Sequence, residues 1–426
     1  FVEIKPHSGG IDATIVLPGS KSETIRALIC AALAEGTSRI ENALFCEDTL
    51  VVADNLRRLG MEIEADRQKT VFEVSGCGGN IPATGAGLDM KGCAAGMRFL
   101  ASVAALGHGE YHFDGDESLR RRPLLVPLSE NKTGTRILFH KKPGHLPFTV
   151  IGGGIKSLDL TVDCSATSQA LSSLLMTAPC SPGGARIKAT GETASAPYVE
   201  LTLKVMRRFG TIVKQSGQTP LLYNCGGGYA ACDYRVEGDA SSAAYFLAAA
   251  AITGGRVRAV GFGRDSVQAD ARFADILERM GCRVEWGESS VTVTGPEKLR
   301  AVKADFFAMP DSAPTFAAVA AFADGVSTMT GIRNLSLKES NRIDSIAKGL
   351  GALGVKIESG EDCIHIHPGK LRGGEVDPQG DHRIAMSCAL VGLKVPGVRI
   401  LQPECVRKSL PNYFQYLDFL YGGPTG

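Results

Sequence analysis

The sequence predicts an α/β protein of two domains, each made of three copies of one repeated unit. The chain has 426 residues, which is too many for one ordinary hydrophobic core. Two landmarks also recur along it with one period. The first is an alanine-rich apolar run that ends in glycine and leads into a strand-like segment. Its glycines, 70 to 75 residues apart, are Gly36, Gly109, Gly184, Gly255, Gly325 and Gly397.

The second landmark is a helix that ends in glycine and runs into a strand. In residues 277–285 an amphipathic helical pattern stops at Gly281, after which apolar and polar residues alternate. The other copies end at Gly60, Gly210 and Gly354, with a degenerate copy at Gly134. One unit is too small to bury its own apolar face, so neighbouring units are expected to pack together. A generic α/β protein with regular connections is the alternative, but two landmarks with one period favour the repeat.

Composition narrows the class of protein. With 46 basic and 45 acidic side chains the net charge is +1, so a broad attraction for nucleic acid or a membrane surface is not expected, and any anion site must be local. The 12 cysteines form no C-x-x-C pattern, which predicts thiols in a reducing cytoplasm and no metal site. No apolar stretch approaches the ~20 residues that a membrane-spanning helix needs.

The first candidate anion site is Pro-Gly-Ser-Lys-Ser at residues 18–22, between a strand-like run at 13–17 and a helix-like run at 24–33. Small residues and a lysine at a helix N-terminus favour anion binding. Arg26 follows Ser22 by one turn and shares its helical face. The pattern is not a P-loop, because serine rather than glycine precedes its lysine. The alternative is a capped helix with a surface lysine.

A second group of charged residues lies in the C-terminal half. Lys338 and Arg342 are four residues apart on one helical face, with Glu339 between them. The two cations would hold this glutamate ionised and oriented, although a solvated, salt-bridged helix start has the same pattern. Asp311 and Asp381 each precede a buried, alanine-rich run, where the alternative to a chemical role is a helix N-cap.

Basic residues also cluster at 120–122 and 407–408, where a solvated turn and a surface pair are the alternatives. Most of the charged groups fall where a strand leads into a helix at the start of a repeat. Stacked repeats bring such helix N-termini to one side, so the groups are expected to converge. The result is a pocket rich in lysine and arginine with two carboxylates, which suits anionic substrates and general acid–base chemistry.

In its motifs the chain resembles the 5-enolpyruvylshikimate-3-phosphate synthase family of enolpyruvyl transferases. The resemblance covers nearly the whole length, and the motifs keep the family's order. They are Pro-Gly-Ser-Lys-Ser at 18–22 with Arg26, Asp-Cys-Ser-Ala-Thr-Ser-Gln at 163–169, Ser-Ala-Pro-Tyr at 195–198, Val-Glu-Gly-Asp-Ala-Ser-Ser at 236–242, Pro-Asp at 310–311, Lys-Glu-Ser-Asn-Arg at 338–342, Asp-His-Arg-Ile-Ala-Met at 381–386 and Arg-Lys at 407–408.

The resemblance implies a two-domain inside-out α/β barrel built from six βαβαββ repeats, three per domain, that closes around its substrates. One domain would hold residues 1–20 and 238–426, and the other residues 21–237. The implied reaction transfers the enolpyruvyl group of phosphoenolpyruvate to the 5-hydroxyl of shikimate 3-phosphate and releases phosphate, in the shikimate pathway to aromatic amino acids. The resemblance also implies a monomer without cofactor or metal, and no nucleic-acid or membrane partner.

Matching the motifs residue by residue implies a role for each group. Glu339 exchanges the proton at C3 of phosphoenolpyruvate, Asp311 handles the proton of the acceptor hydroxyl, and Lys21 shares in proton transfer. The phosphoenolpyruvate-binding residues are Lys21, Ala94, Arg122, Gln169, Arg342, Arg383 and Lys408. The residues that bind shikimate 3-phosphate are Lys21, Ser22, Arg26, Thr167, Ser168, Gln169, Ser195, Tyr198, Asp311, Asn334 and Lys338.

The sequence departs from the family in the loop at residues 91–96, Lys-Gly-Cys-Ala-Ala-Gly. The family's usual Gly-Asn-x-Gly-Thr run is absent, and an alanine stands where the second glycine allows close backbone approach. The methyl group of Ala94 is therefore expected to crowd glyphosate, an analogue slightly longer than phosphoenolpyruvate, and to weaken its inhibition. Ile25 and Ala196 also replace an asparagine and a lysine of the family pattern.

Two other functions stay open from the sequence. One is a related enolpyruvyl transferase with a different anionic acceptor, because the changes near Arg26 and Tyr198 leave room for one. The other is a catalytically weak binding homologue. The presence of both Asp311 and Glu339 argues against it, since binding of anions needs cations but neither an acid nor a base.

Overall fold

The computed structural model describes residues 1–128, 133–155, 158–217 and 221–420. The α-helices of these residues are α1 Lys21–Leu33, α2 Glu47–Arg58, α3 Ala94–Leu106, α4 Glu117–Arg120, α5 Gln169–Thr177, α6 Pro197–Arg208, α7 Ala240–Thr253, α8 Phe273–Arg279, α9 Ala313–Ala320, α10 Arg342–Ala352, α11 His382–Ala389 and α12 Tyr413–Leu420. Short 3-10 helices are Ala178–Cys180, Ala269–Arg272, Pro310–Ser312, Arg333–Leu337, Leu390–Leu393 and Pro403–Lys408.

The strands of the described residues are β1 Val2–Ile4, β2 Asp12–Val16, β3 Thr37–Glu41, β4 Glu62–Asp66, β5 Val71–Ser75, β6 Gly85–Asp89, β7 Glu110–Asp114, β8 Arg136–Phe139, β9 Phe148–Ile151, β10 Leu158–Asp163, β11 Ala185–Thr190, β12 Ile212–Ser216, β13 Leu221–Gly226, β14 Asp233–Arg235, β15 Arg256–Val260, β16 Arg283–Trp286, β17 Ser290–Thr294, β18 Lys303–Asp305, β19 Ser327–Thr330, β20 Lys356–Ser359, β21 Cys363–His367, β22 Gly374–Val376 and β23 Val398–Ile400.

The chain divides into two compact units. Unit 1 contains Phe1–Pro18 and Gly238–Gly426, and unit 2 contains Gly19–Glu237. Unit 2 is thus one continuous segment inserted into unit 1. Each unit contains three of the sheets formed by the described residues.

One strand topology recurs in both units. In unit 2 the sheets have the orders β14-β3-β5-β4, β6-β7-β9-β8 and β10-β11-β13-β12. In unit 1 the orders are β2-β15-β17-β16, β18-β19-β21-β20 and β1-β23-β22. The first two strands of each four-stranded sheet are parallel, as β6 and β7 are, and the other two form an antiparallel hairpin. In this sheet the hairpin is β8 and β9, and β9 pairs antiparallel with β7. The sixth sheet has three strands. The predicted α/β class is confirmed.

Both landmarks of the sequence mark real element boundaries. The strands that follow the first set of glycines are β3, β7, β11, β15, β19 and β23. The second set precedes β4, β8, β12, β16 and β20. Gly60, Gly210, Gly281 and Gly354 have φ of 97°, 84°, 100° and 92°, the left-handed conformation that ends a helix without a Cβ clash.

Buried helices contribute much of the core of each unit. In unit 2 nearly every residue of α1, α3 and α5 is buried, and in unit 1 the same holds for α7, α9 and α11. The sheets around them alternate buried and exposed residues, as in β7 and β15. Sheets outside and helices inside correspond to the implied inside-out arrangement, while no sheet of the described residues closes into a barrel. No helix within these residues is long and apolar enough to span a membrane.

Candidate active site

Unit 1 carries a cluster of charged side chains built around Arg342, the first residue of α10. Only 1% of this side chain is exposed. Its Nε donates to Oδ2 of Asp381 at 2.8 Å, and its Nη1 donates to Oδ1 of Asp311 at 2.9 Å. Its Nη2 donates to Oε2 of Glu339 at 2.8 Å. One buried guanidinium therefore holds three carboxylates, two of which are the predicted general acid and base.

Asp311 lies where three cations meet. Besides Arg342, Arg383 donates through Nη2 to Oδ2 at 2.9 Å, and Nζ of Lys338 lies 3.4 Å from Oδ1. Burial opposes ionisation of the carboxyl group, but the attraction of Arg383, Lys338 and Arg342 outweighs it and holds the pKa of Asp311 well below its usual value of 3.8. Asp311 is therefore ionised at neutral pH. An anion that bound these cations would share their charge and raise its pKa towards the range where it can accept a proton.

Asp381 is the fully buried anchor of this cluster. Its side chain is 0% exposed, and its Oδ1 accepts a hydrogen bond from the backbone N–H of Arg383 at 2.9 Å, which caps α11. Ser340 adds a hydroxyl donor at 3.2 Å. The same carboxylate thus caps a helix and fixes the position of the Arg342 guanidinium. The N-cap alternative therefore holds for Asp381, which also accepts a hydrogen bond from Arg342.

Two buried hydroxyl groups lie beside residues of the cluster. The hydroxyl of Tyr245 on α7 lies 3.2 Å from Nη1 of Arg383, and burial raises the pKa of Tyr245 to about 12, although the nearby Arg383 opposes the rise. Ser312, next to Asp311, donates to Oδ1 of the buried Asp270 at 2.5 Å. Ser312 is the N-cap residue of α9, so the N-cap alternative does not apply to Asp311.

The other predicted residues of unit 1 lie on neighbouring elements. Lys408 ends the 3-10 helix Pro403–Lys408, which packs against α11, and is 8% exposed, unlike the exposed Arg407. The surface-pair alternative therefore fails for Lys408. Asn334 lies in the 3-10 helix Arg333–Leu337, and its Oδ1 is buried without a hydrogen-bond donor from the described residues. A buried amide oxygen of this kind suits a ligand hydroxyl.

Unit 2 places its first anion motif at the N-terminus of α1. Ser20 is the N-cap residue, and its hydroxyl accepts from the backbone N–H of Glu23 at 3.5 Å. Lys21 follows at the first helical position, and its Nζ contacts Oδ2 of Asp48 at 3.0 Å. The two side chains are 16% and 7% exposed. The pair is therefore largely shielded from water, and the surface-lysine alternative does not describe Lys21.

Arg26 joins three elements of unit 2. Its Nε donates to Oγ1 of Thr202 at 2.7 Å, its Nη1 to the Ser22 carbonyl at 2.9 Å and its Nη2 to the Tyr198 carbonyl at 3.3 Å. Its guanidinium carbon lies 5.2 Å from the ring centre of Phe99. Burial lowers the pKa of Arg26 to about 10, so it remains charged at neutral pH. The predicted residues Ser22, Arg26 and Tyr198 therefore lie together.

The divergent loop at residues 91–96 ends at α3. Lys91 has a φ of 44°, an uncommon conformation for a residue other than glycine. Cys93 is the N-cap residue, and its Sγ accepts from the N–H of Gly96 at 3.3 Å and lies 3.7 Å from the Asp48 carbonyl. Ala94 is the first helical residue and is buried. A thiol thus caps this helix.

The remaining predicted residues of unit 2 lie at the start of α5, after α4 and before α6. Gln169 is its first residue and Ser168 its N-cap residue, and Oγ1 of Thr167 accepts from the Gln169 N–H at 3.2 Å. Arg122 is only 8% exposed, whereas the side chains of Arg120 and Arg121 are 42% and 65% exposed. Ser195 precedes α6 with a φ of 57°. Sequence reasoning did not assign Asp48, Arg98 or Asp270, because their partners lie far away along the chain.

Glu23 on α1 is a buried carboxyl group that the sequence did not single out. The Tyr234 hydroxyl donates to its Oε1, and Nζ of Lys204 lies 3.8 Å from the same oxygen. Burial raises the pKa of Glu23 above its usual value of 4.5, and the attraction of Lys204 offsets the rise only in part. The folded protein therefore binds this proton more tightly than the unfolded chain does.

The Glu23→Gln variant is expected to change stability in a pH-dependent way. The contribution of Glu23 is fully present below its unfolded pKa and is lost as pH rises through the raised folded pKa. Thermal unfolding should therefore give the variant a higher Tm than the parent at pH 8 and a much smaller difference at pH 4.5. Glu62→Gln, at an exposed position of β4, is the matched control and should shift little at either pH. A difference for Glu23→Gln that does not vary with pH would contradict the prediction.

The chain is similar to known proteins over nearly its whole length. Residues 6–417 match the family described as EPSP synthase (3-phosphoshikimate 1-carboxyvinyltransferase). The chain is 38% identical over 414 residues to a 3-phosphoshikimate 1-carboxyvinyltransferase of Nostoc punctiforme, with 97% of each chain covered. It is 40% identical over 413 residues to one of Sulfurovum sp., with 96% of each covered.

Solved structures show the same fold. An EPSP synthase from Acinetobacter baumannii is similar with a TM-score of 0.80 at 27% identity, over 98% of this chain and 97% of that chain. The enolpyruvyl transferase NikO from Streptomyces tendae gives a TM-score of 0.76 at 20% identity, over 98% of this chain and 96% of that chain. At that identity the second likeness concerns the fold alone.

Proposed function

The chain belongs to the EPSP synthase family, the 3-phosphoshikimate 1-carboxyvinyltransferases, and we propose that it transfers the enolpyruvyl group of phosphoenolpyruvate to the 5-hydroxyl of shikimate 3-phosphate. The hydroxyl oxygen bonds to C2 of phosphoenolpyruvate while C3 gains a proton. The tetrahedral adduct then loses phosphate from C2 and a proton from C3. The reaction needs an acid and a base for these protons, and cations for four anionic groups: the phosphate and the carboxylate of each substrate.

The observation that carries the proposal is the cluster around Arg342. It holds Asp311 and Glu339 in place by hydrogen bonds of 2.9 and 2.8 Å, so two carboxylates with separate roles share one fixed partner. Glu339 transfers the proton at C3, and Asp311 takes the proton of the acceptor hydroxyl. Arg342, Arg383 and Lys408 contribute positive charge for phosphoenolpyruvate. Oriented charges of this kind stabilise a developing anion without reorganisation.

The other unit 1 residues serve shikimate 3-phosphate. Lys338, 20% exposed beside Asp311, binds an anionic or hydroxyl oxygen of the acceptor. The buried Oδ1 of Asn334 accepts a hydrogen bond from an acceptor hydroxyl.

Unit 2 supplies two sets of binding groups. Ser22, Arg26 and Tyr198, which lie together, hold shikimate 3-phosphate, as do Thr167, Ser168 and Ser195. Lys21, Ala94, Arg122 and Gln169 bind phosphoenolpyruvate, with Lys21 and Gln169 also contacting shikimate 3-phosphate. Lys21 shares in proton transfer through a pair with Asp48 that is largely shielded from water. We assign the enzyme as a monomer, which light scattering in solution tests.

The decisive experiment measures phosphate release by the purified chain with phosphoenolpyruvate and shikimate 3-phosphate, omitting each in turn. Release that requires both substrates is the expected result. If no phosphate is released although shikimate 3-phosphate binds, the defect lies in the residues that bind phosphoenolpyruvate. Neither release nor binding would overturn the proposal in favour of another anionic acceptor, and binding without turnover under all conditions would favour a binding homologue.

The Ala94→Gly variant is expected to become more sensitive to glyphosate. Removing the Cβ methyl makes room for an inhibitor slightly longer than phosphoenolpyruvate, so the inhibitor concentration that halves activity should fall by about 10-fold, the effect of one or two methyl contacts. Ala95→Gly is the matched control. Both residues lie in the first turn of α3, so each glycine should lower the stability of the helix by the same amount, about 1 kcal/mol. Equal inhibition of the parent and Ala94→Gly would contradict the role of this methyl group.

A further inference from the structure

Arg98 is a buried arginine of unit 2 to which the proposed reaction gives no task. It lies one turn into α3 and is 4% exposed. Its Nε donates to the Leu124 carbonyl at 3.1 Å, its Nη2 to the Pro123 carbonyl at 2.6 Å, and its Nη1 to Oε1 of Gln169. One guanidinium therefore contacts Gln169 itself and the segment that follows Arg122, and both of these residues are predicted to bind phosphoenolpyruvate.

The contact with Gln169 determines which way its amide faces. A guanidinium has only donors, so the atom it contacts must be the amide oxygen rather than the nitrogen. The NH₂ group of Gln169 is then directed away from Arg98 and keeps both of its hydrogens for another acceptor. A glutamine held this way can donate to a phosphate oxygen but cannot turn its oxygen towards it.

The contacts with residues 123 and 124 act on Arg122. These carbonyls directly follow Arg122 in the chain, and on its other side the Arg122 N–H donates to the Leu119 carbonyl at 2.9 Å. The backbone around Arg122 is thereby held from both directions. A fixed backbone limits the positions that the Arg122 guanidinium can take.

Arg98 itself belongs to a rigid frame. The Ser173 hydroxyl on α5 donates to the Arg98 carbonyl at 2.6 Å and lies 2.6 Å from the Ser102 hydroxyl on α3. All three groups are buried, so these hydrogen bonds set the position of α3 relative to α5. Arg98 and the first residue of α5 therefore keep a constant separation.

From this geometry we infer that Arg98 is a positioning residue for the phosphoenolpyruvate-binding groups. It fixes the amide of Gln169 as a donor and holds the segment of Arg122, so that both groups can bind one anion. The inference rests on the proposed function for the identity of that anion. Anion binding by the Gln169 NH₂ group and the Arg122 guanidinium is a property of unit 2 alone. It can be measured without following the enzymatic reaction.

A binding experiment with inorganic phosphate tests the amide directly. The chain is labelled with ¹⁵N-glutamine, and the Gln169→Leu variant identifies the side-chain resonance. Added phosphate is expected to shift the Gln169 NH₂ resonances of the parent, and to leave them unshifted in Arg98→Gln. Absence of a shift in the parent, or an equal shift in Arg98→Gln, would overturn the inference. A parent that shows the shift but releases no phosphate from its substrates would refute the proposed function while the role of Arg98 stands.

Steady-state kinetics provide the second readout. Arg98→Gln is expected to raise the KM for phosphoenolpyruvate by about 10- to 100-fold, the effect of losing hydrogen bonds to a charged group, with a smaller change in kcat and in the KM for the acceptor. Arg98→Lys keeps the charge and one donor, so its KM should lie in between. Arg57→Gln is the control, because Arg57 also donates from Nε to a carbonyl, that of Ile63 at 2.9 Å, but lies at the end of α2.

The Gln169→Glu variant separates positioning from stability. Its carboxylate accepts from Arg98 at least as well as the amide does, so its Tm should not fall, yet it has no donor for phosphate and should raise the KM for phosphoenolpyruvate strongly. A purely structural role of Arg98 predicts the reverse: a lower Tm for the Arg98 variants with unchanged KM, and a tolerated Gln169→Glu. That pattern would overturn the inference.

Discussion

Replacing Glu339 by glutamine is expected to lower kcat by about 10²- to 10⁴-fold, the usual contribution of a positioned general acid or base. Glutamine keeps an oxygen that can accept from Nη2 of Arg342, now 2.8 Å from Oε2, so the cluster should stay assembled. It has no proton to exchange with C3. The assay is phosphate release at saturating substrates, together with deuterium incorporation at C3 of phosphoenolpyruvate in heavy water, which should fall in parallel.

Binding separates this chemical role from a structural one. Shikimate 3-phosphate should bind to Glu339→Gln with nearly the same affinity as to the parent. The proposed role of Glu339 is proton transfer at C3, and it is not among the residues assigned to bind shikimate 3-phosphate. Glu361→Gln is the matched control, since Glu361 is an exposed acid (80% exposed) whose ion pair with Arg333 lies on the surface. A kcat of Glu339→Gln within a few-fold of the parent value would show that Glu339 does not transfer a proton in the reaction.

The second large effect is expected in stability. Asp381→Asn should lower the free energy of unfolding by about 3–5 kcal/mol, the usual cost of removing one partner of a buried ion pair. Arg342 is 1% exposed and Asp381 0%, so neither charge can turn to water. Asparagine also replaces one of the two carboxylate oxygens by an NH₂ group, which is a donor. The N–H groups of Arg342 then have one acceptor oxygen at this position instead of two. Urea unfolding of both proteins at neutral pH measures the difference.

Two comparisons make the Asp381 result specific. Asp377→Asn, at an exposed position of the preceding loop, should change stability by less than about 0.5 kcal/mol. If Asp381→Asn is folded at low temperature, its kcat should also fall, because Arg342 then no longer holds Asp311 and Glu339 in place. Equal stability of Asp381→Asn and the parent would mean that the Arg342 charge is balanced by other groups.

The roles of these residues were only partly visible in the sequence. The spacing of Lys338, Glu339 and Arg342 predicted one shared helical face, which is wrong: α10 begins at Arg342, and the other two residues lie in the bend before it. Arg342 is also buried rather than solvated. Asp381 was noticed as the start of a motif, but its bond to Arg342 joins residues 39 positions apart. Arg98, just beyond the divergent loop, had no role assigned from the sequence.

What the sequence by itself determined is the local structure and its repetition. The α/β class, the helix ends at Gly60 and Gly281, and the strands after each glycine follow from periodicity and backbone conformation, which act between residues a few positions apart. The two carboxylates and the family to which the chain belongs were also readable, because whole motifs keep their order.

Only the tertiary structure decided which groups meet. That β14 pairs with β3 and β2 with β15, and that Asp381 meets Arg342 or Arg98 meets Gln169, depends on how the buried helices pack. The same packing sets the pKa values of Asp311 and Glu23, because burial and the nearest charges come from distant segments. Sequence patterns encode distances along the chain, whereas hydrogen bonds and electrostatic interactions depend on distances in space.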